Sequence, residues 1–440
     1  MKDKIFNIYY LFIPLLIIGI SFGYTTFPIT LVALLPLLFF TDRHTVGLFF
    51  LMYGGPVGGI TRAMYPSLPV YGLLLQLIGV ILMWDLVLSL FRKNKQALLG
   101  MLLVLAVFGF FYFLGPKDEW SRDKFTTMIT HGLTMVLGYY AFCRSKRLDV
   151  EGLSRILLVA ALCMYAFCIS FYKLSPGDIM DYNWFRDQSM AYYYSMDHEH
   201  MLVGYQHIGM LILYSAAIYL SQVELKRGTA LFYTLCALQM VMVSGCRQAI
   251  FGLFIVVALR LTVFRAANLQ KKGNLGKLVW SAAGLVVVFL LMLVILENTS
   301  SDVVAGTLTE GDAGRQLLYL QALNIFQNNP LTGAGIGGFH AITGEGWPHN
   351  FFLEILCETG IIGLLMLLVL VVATLAKRKA GLLYVTNSDL FYFLILFALF
   401  FRVMVSSDLT ESIELFSAVV ALTPSGHYVS HERQKVALNY

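Results

Sequence analysis

The chain has 440 residues, of which 58% are hydrophobic and 13% charged, with a formal net charge of +5 and a mean hydropathy of +0.73. A soluble protein of this length would carry far more charge on its surface, so the composition excludes that class and indicates a polytopic membrane protein. The basic excess belongs to membrane topology, with no nucleic-acid patch behind it.

Apolar runs recur at 5–24, 27–41, 46–61, 68–91, 97–115, 125–143, 153–172, 202–221, 229–245, 247–264, 277–296, 350–376, 388–405 and 410–423. A helix needs roughly 20 residues to cross the hydrocarbon, and several of these runs are shorter, so the pattern predicts an all-α fold with about 12–14 crossings. Barrel strands would be half as long and would alternate, which these runs do not. The first run follows a short basic region and precedes no small-residue cleavage site, which reads as a signal anchor. Neither a separate soluble domain nor an internal repeat is visible, so residues 1–440 are expected to form a single integral membrane domain.

Lys and Arg cluster at Lys2/Lys4, Arg43, Arg92/Lys93/Lys95, Arg144/Lys146/Arg147, Lys226/Arg227, Arg265/Lys271/Lys272/Lys277, Lys377/Arg378/Lys379 and Arg433/Lys435. Alternating through the spans puts every dense basic run on one face, which the positive-inside rule makes cytoplasmic. The opposite face receives 116–124, an external loop at 173–201, a large loop at 297–349 that continues into the span 350–376, and 406–409. The six cysteines, Cys143, Cys163, Cys168, Cys236, Cys246 and Cys357, lie in or at the ends of apolar runs. That placement suits packing residues better than a disulfide framework or a zinc site.

The large loop holds the densest pattern of chemistry. Arg315 stands near its middle; Leu318, Ala322 and Ile325 then recur at helical spacing, predicting an amphipathic helix at the membrane surface over 315–327. Pro330 and Gly333 end it. A glycine-rich turn to Phe339 follows, then His349-Asn350, with Gly360 and Gly363 inside the next span. Asn350 is a natural cap for that span, and the two glycines suit close helix packing. Ionisable groups held against a bilayer are costly, which makes Arg315, His349 and the upstream Arg247 candidates for function. Glu354 and Glu358, one turn apart, either orient the histidine or line a wet cavity; Asp85 and Arg402 have no assigned role.

Neither a P-loop nor a dinucleotide fingerprint is present, so a reaction on this face must use a donor that arrives already activated. A lipid-linked sugar diphosphate is such a donor. Its leaving group suits bidentate arginine forks, and its hydroxyl acceptor suits a base such as histidine. The triplet His198-Glu199-His200 has no third ligand at metal-site spacing, so a solvated loop is the better reading and no metal or other cofactor is expected. Carboxylates at Asp178, Asp181, Asp187, Asp197, Glu310 and Asp312 offer a hydrolase-type alternative, but a diphosphate leaving group does not need protonation.

Gly314-Arg315, the P-L-x-G-x-G from Pro330 to Gly335, and His349-Asn350 with Gly360 and Gly363 resemble the signature of the O-antigen ligase and polymerase superfamily. Ser244-Gly-Cys-Arg247 resembles its second arginine. The motif-level similarity covers about 244–252 and 311–365. The resemblance implies transfer of a glycan from undecaprenyl diphosphate, without metal, to an acceptor on the periplasmic face of the bacterial inner membrane. Arg247 and Arg315 would hold the diphosphate, and His349, with Asn350, would stand near the acceptor. The spacing of the His-Asn and glycine positions agrees with the ligase pattern, for which the acceptor is lipid A-core and the pathway lipopolysaccharide biosynthesis. A polymerase joining the donor to a growing glycan, a protein O-oligosaccharyltransferase and a glycan-lipid flippase are the alternatives.

The basic-loop asymmetry makes a direct claim on topology. In a cysteine-free background, a cysteine at Thr309 is expected to react with an impermeant thiol reagent in intact spheroplasts, and one at Arg378 only after permeabilisation. The reverse order of labelling would invert the topology and remove the site from the outer face.

Overall fold

The computed structural model describes residues 41–51, 54, 71–93, 95–145, 148–172, 205–221, 246–270, 313–376 and 409–421, with scattered positions in 234–244 and 394–403. The runs at 5–24 and 277–296, the loop 173–201 with His198-Glu199-His200, residues 297–312 and Arg402 lie outside the described residues. The helices are α1 Tyr71–Leu82, α2 Trp84–Lys93, α3 Lys95–Leu114, α4 Glu119–Arg144, α5 Val150–Tyr172, α6 Tyr205–Leu220, α7 Arg247–Gln270, α8 Ala313–Asn328, α9 Gly338–Thr343, α10 Phe351–Ala376 and α11 Leu409–Ala421. No strand occurs among the described residues, so the expected all-α class holds.

Two of these helices, Lys95–Leu114 and Phe351–Ala373, are long and apolar enough to cross a membrane; the pair Leu74–Leu82 and Trp84–Arg92 would make a third if it counts as one span. Their surfaces show why an all-round apolar helix suits a bilayer. On α3, Met101, Val104, Phe108 and Phe111 are buried in protein, whereas Leu99, Leu102, Leu103, Phe110 and Phe113 are exposed. On α10 the exposed residues include Leu365, Leu368, Val369 and Val372. In water such faces would drive aggregation; in lipid they need no cover.

The chain divides into two compact units. The first comprises Met1–Met83, Lys146–Ala305 and Leu383–Ala398. In it α6 packs against both α5 and α7. The Ser215 hydroxyl donates to the Ser154 carbonyl at 2.6 Å. A Cβ on Gly209 would lie 2.4 Å from the Cβ of Cys246, so the missing side chain lets the two helices close, as small residues do in membranes. Asp149 begins α5 by accepting from the Gly152 N–H at 2.8 Å.

The second unit comprises Trp84–Ser145, Gly306–Leu382 and Leu399–Tyr440. Asp118 caps α4, accepting from the Ser121 N–H at 2.8 Å and from its hydroxyl. The Ser121 hydroxyl bond is the main reason that the Asp118 carboxyl sits below its ordinary range. The sign follows: this cap is complete above the ordinary carboxylate range and is lost as acid protonates it. Further along α4, the Tyr139 hydroxyl donates to Glu414 of α11 at 2.8 Å. Phe416 of α11 meets Phe108 and Phe351 at 5.9 Å between ring centroids, joining α3, α10 and α11.

α10 is not continuous. At Gly360 the backbone turns to φ 65°, ψ −167°, which interrupts the ladder inside a span where unpaired amide groups cost several kcal/mol each, about what a buried peptide group loses in hydrocarbon. The 330–335 turn fills the break. The N–H groups of Ala334 and Gly335 donate to the carbonyls of Cys357 and Glu358 at 2.8 and 2.9 Å, and those of Ile361 and Ile362 donate to the carbonyls of Pro330 and Leu331 at 2.9 and 3.1 Å. Only glycine permits this contact. A Cβ on Gly333 (φ 64°) would lie 2.4 Å from the Glu358 carbonyl carbon, and one on Gly360 2.3 Å from the Leu331 oxygen.

Gly344 supplies a control, since it also has positive φ, 76°, but nothing within 4 Å of its absent Cβ. Gly344→Ala is expected to cost about 1–2 kcal/mol from the left-handed backbone alone. Gly333→Ala and Gly360→Ala must also displace backbone, so roughly 2–5 kcal/mol is expected. Thermal unfolding in detergent checks the order; equal costs at all three positions would mean that the turn does not seat in the helix break.

Candidate active site

The helix expected over 315–327 forms as α8, with Ala322 and Ile325 buried and Leu318 partly so, but its apolar residues are not confined to one face. Its buried face is covered by protein, not lipid: these side chains pack with Phe339, Cys357, Ala334 and Leu353. A second row, Leu317, Leu320 and Leu323, is exposed and is the face left for the membrane surface. α8 is therefore apolar on two sides, because it braces α10 as well as meeting its surroundings.

The backbone after Pro348 delivers His349 and Asn350 to the start of α10. The Asn350 side-chain oxygen accepts from the N–H groups of Phe352 and Leu353 at 3.1 and 3.2 Å, satisfying donors that a helix start leaves unpaired. Among the described residues His349 is the one non-glycine residue with positive φ, 53°, a conformation that His tolerates better than most residues. Its Nδ1 accepts the Trp347 indole N–H at 3.0 Å. An indole nitrogen only donates, so neutral His349 must carry its proton on Nε2. A base needs an available lone pair, and here that of Nδ1 is engaged by Trp347. In this tautomer the imidazole carries its N–H at Nε2.

Beneath this helix start lies a group that sequence reasoning missed. The Lys124 ammonium on α4 stands 2.6 Å from Glu354 and 2.9 Å from both oxygens of Glu358. All three side chains are almost fully buried. Glu358 also accepts the Gly337 N–H at 3.1 Å, which ties the glycine turn, α4 and α10 to one charge cluster. Of the two roles open to the glutamates, orienting His349 or lining a wet cavity, neither describes their observed contact. A clue did exist: two carboxylates one turn apart in an apolar span demand a cation, and Lys124 stands at the rim of an apolar run.

The arginines occupy equivalent positions on their helices. Arg247 is the first residue of α7 and Arg315 lies in the first turn of α8, where unpaired N–H groups and the helix dipole favour an anion. Arg247 belongs to the first compact unit; Arg315, His349 and Asn350 belong to the second. Cys246 and Cys357 are buried thiols outside any disulfide, in keeping with a packing role.

The described residues thus define an all-helical membrane protein with a broken helix seated on a glycine turn and a buried ion cluster behind it. Residues 232–368 match the family model described as O-antigen ligase. The match supports placing the chain in the O-antigen ligase and polymerase family, with that general type of function and lipid-linked glycans as the general class of substrate. No curated protein and no solved structure matches the chain.

Removing one partner from a buried ion cluster leaves charge without its counter-ion, which typically costs about 3–5 kcal/mol. Lys124→Met is expected to lose stability on that scale, and adding Glu358→Gln to recover part of it. Unfolding midpoints of the single and double variants in detergent check this; strictly additive losses would show that the three charges do not act together.

Proposed function

We propose that the protein is an O-antigen ligase: it moves a glycan from undecaprenyl diphosphate to a hydroxyl of lipid A-core at the periplasmic face of the bacterial inner membrane. The family match carries this reading, because residues 232–368 span Arg247, Arg315, His349 and Asn350 together. Arg247 and Arg315 hold the diphosphate through charge-assisted forks. Their positions in first helical turns support this, since each helix start adds positive potential of its own.

His349, with its proton on Nε2, donates to a substrate oxygen rather than abstracting a proton. The chemistry tolerates the absence of a strong base. Diphosphate departs as a stabilised anion, the anomeric carbon becomes cation-like, and the attacking hydroxyl turns acidic only once its bond to that carbon is forming, when its proton passes to an oxygen of the departing diphosphate or to water. Stabilising the leaving group then contributes more to the rate than removing the hydroxyl proton. In-line displacement inverts the anomeric centre, and the reaction uses neither nucleotide nor metal.

Purified protein given donor and acceptor is expected to turn over in chelator without ATP. Arg247→Lys and Arg315→Lys keep the charge but lose the fork, at a cost of roughly 2–4 kcal/mol or 30- to 1000-fold in rate. His349→Gln offers an amide N–H in place of the Nε2–H and is expected to keep much more activity than His349→Ala. A His349→Gln as inactive as His349→Ala, together with a wild-type rate that falls through the imidazole range as pH drops, would restore the base instead. In a deletion strain, loss of all attached polymer with free donor glycan retained indicates a ligase. Attachment of a single repeat unit would instead make the protein a polymerase.

A further inference from the structure

The segment that leads into His349 touches a pair of rings to which the transfer chemistry gives no task. Trp120, in the first turn of α4, stacks on His340 of α9 with ring centroids 4.4 Å apart and planes 25° from parallel, yet Trp120 remains 39% exposed. His340 is held in turn, its Nδ1 lying 3.1 Å from the Glu345 carbonyl oxygen. The chain then passes the indole at Gly346, where a Cβ would stand 3.7 Å from Trp120 Cζ2. The next residue, Trp347, is the one that donates to His349. The stacked pair and the candidate catalytic imidazole therefore share one short segment.

The surroundings of Trp120 say what it meets. Asp118, Glu119, Arg122, Asp123 and Glu345 are all exposed and lie within five positions of Trp120 or His340 along the chain, and the Asp118 carboxyl is held below its ordinary range chiefly by Ser121 and in part by His340. Beyond what an interfacial tryptophan needs to sit at the headgroup level, this one carries a histidine ring stacked on one face. An aromatic face bordered by hydrogen-bonding groups complements one class of ligand well. A pyranose ring presents a face of C–H bonds to the electron-rich indole face and an edge of hydroxyls to acidic and basic side chains.

We propose that the Trp120–His340 stack is a sugar-binding platform, which seats a pyranose ring of one of the two glycan substrates beside His349. This rests on the glycan-transfer reading above. The ring comes either from the donor's glycan or from the end of the acceptor's core, and the platform's contribution is binding, not chemistry.

The test compares wild type, Trp120→Ala, Trp120→Tyr and His340→Ala in full-length protein in nanodiscs, with KM for donor and for acceptor measured separately. Trp120→Ala is expected to raise one of the two KM values by roughly 2- to 12-fold, the scale of an aromatic contact, with kcat near wild type. Trp120→Tyr is expected to restore most of the loss, and His340→Ala to show a smaller rise in the same KM. The KM that moves identifies the source of the ring. Unchanged KM values for both substrates in Trp120→Ala of normal thermal stability would overturn the platform. Should Trp120→Ala fold poorly, Trp120→Tyr against His340→Ala still decides, and two wild-type KM values in both would overturn it.

A wild-type protein that transfers no glycan would defeat the transfer reading without touching the platform. Equilibrium titrations then decide it, using core oligosaccharide and donor glycan released by mild acid as probes. Binding of either probe weakened by the same factor in Trp120→Ala supports the platform; binding of neither, or equal binding by both proteins, overturns it.

Discussion

A helix interrupted in an apolar environment must find new partners for its backbone groups, and that constraint organises the second unit. The break at Gly360 strands two carbonyls and two amides, and a turn from a different part of the chain supplies the complement to all four. The turn must lie directly against the helix backbone to do so, which is why Gly333 and Gly360 face each other across the contact with no room for a side chain. Peptide hydrogen bonds made away from water are short of competitors, so the turn is held in register more firmly than a surface loop would be. Gly363, on the next turn, serves the same closeness: a Cβ there would lie 3.0 Å from the Phe111 ring.

The charge cluster extends this logic to side chains. Lys124 brings an ammonium to the two carboxylates that α10 carries into the apolar region, and Glu358 passes one hydrogen bond on to the turn at Gly337. Buried ion pairs contribute modestly to net stability, but they discriminate strongly against alternatives, since any slip of α4 past α10 leaves charge without a counter-ion. His349 and Asn350 sit at the start of the same helix, one turn before Glu354. Their backbone is therefore set by a base made of turn, helix break and ion cluster, the kind of support that fixes side chains in place.

Two aromatic residues refine what that base presents. Trp347 decides which imidazole nitrogen of His349 carries the proton, and so changes its chemistry without touching the substrate. Trp120 adds a flat, partly exposed face stacked on His340. Neither belongs to the arginine, glycine and histidine pattern. Both offer what the proposed sugar substrate would use: a π face and directional donors and acceptors.

Hydropathy and glycine spacing are one-dimensional properties, and the sequence by itself determined what depends on them. The apolar runs at 97–115 and 350–376 became α3 and α10; Leu318, Ala322 and Ile325 became the buried face of α8; Asn350 caps α10 as its position predicts. The order of arginine, glycine turn and histidine was likewise legible, because the motif is local. What only the tertiary structure decided are meetings between residues far apart in the chain. Lys124 finds Glu354 across 230 positions, and hydropathy does not say which cation approaches which anion. Gly360 reads as a packing glycine until the 330–335 turn is seen inside its helix, for a broken ladder and a continuous one have the same apolar composition. The covering of α8 by α10 and the proton position on His349 belong to the same class. Each is set by which group happens to stand within hydrogen-bonding or van der Waals reach, and that distance is a property of the folded chain alone.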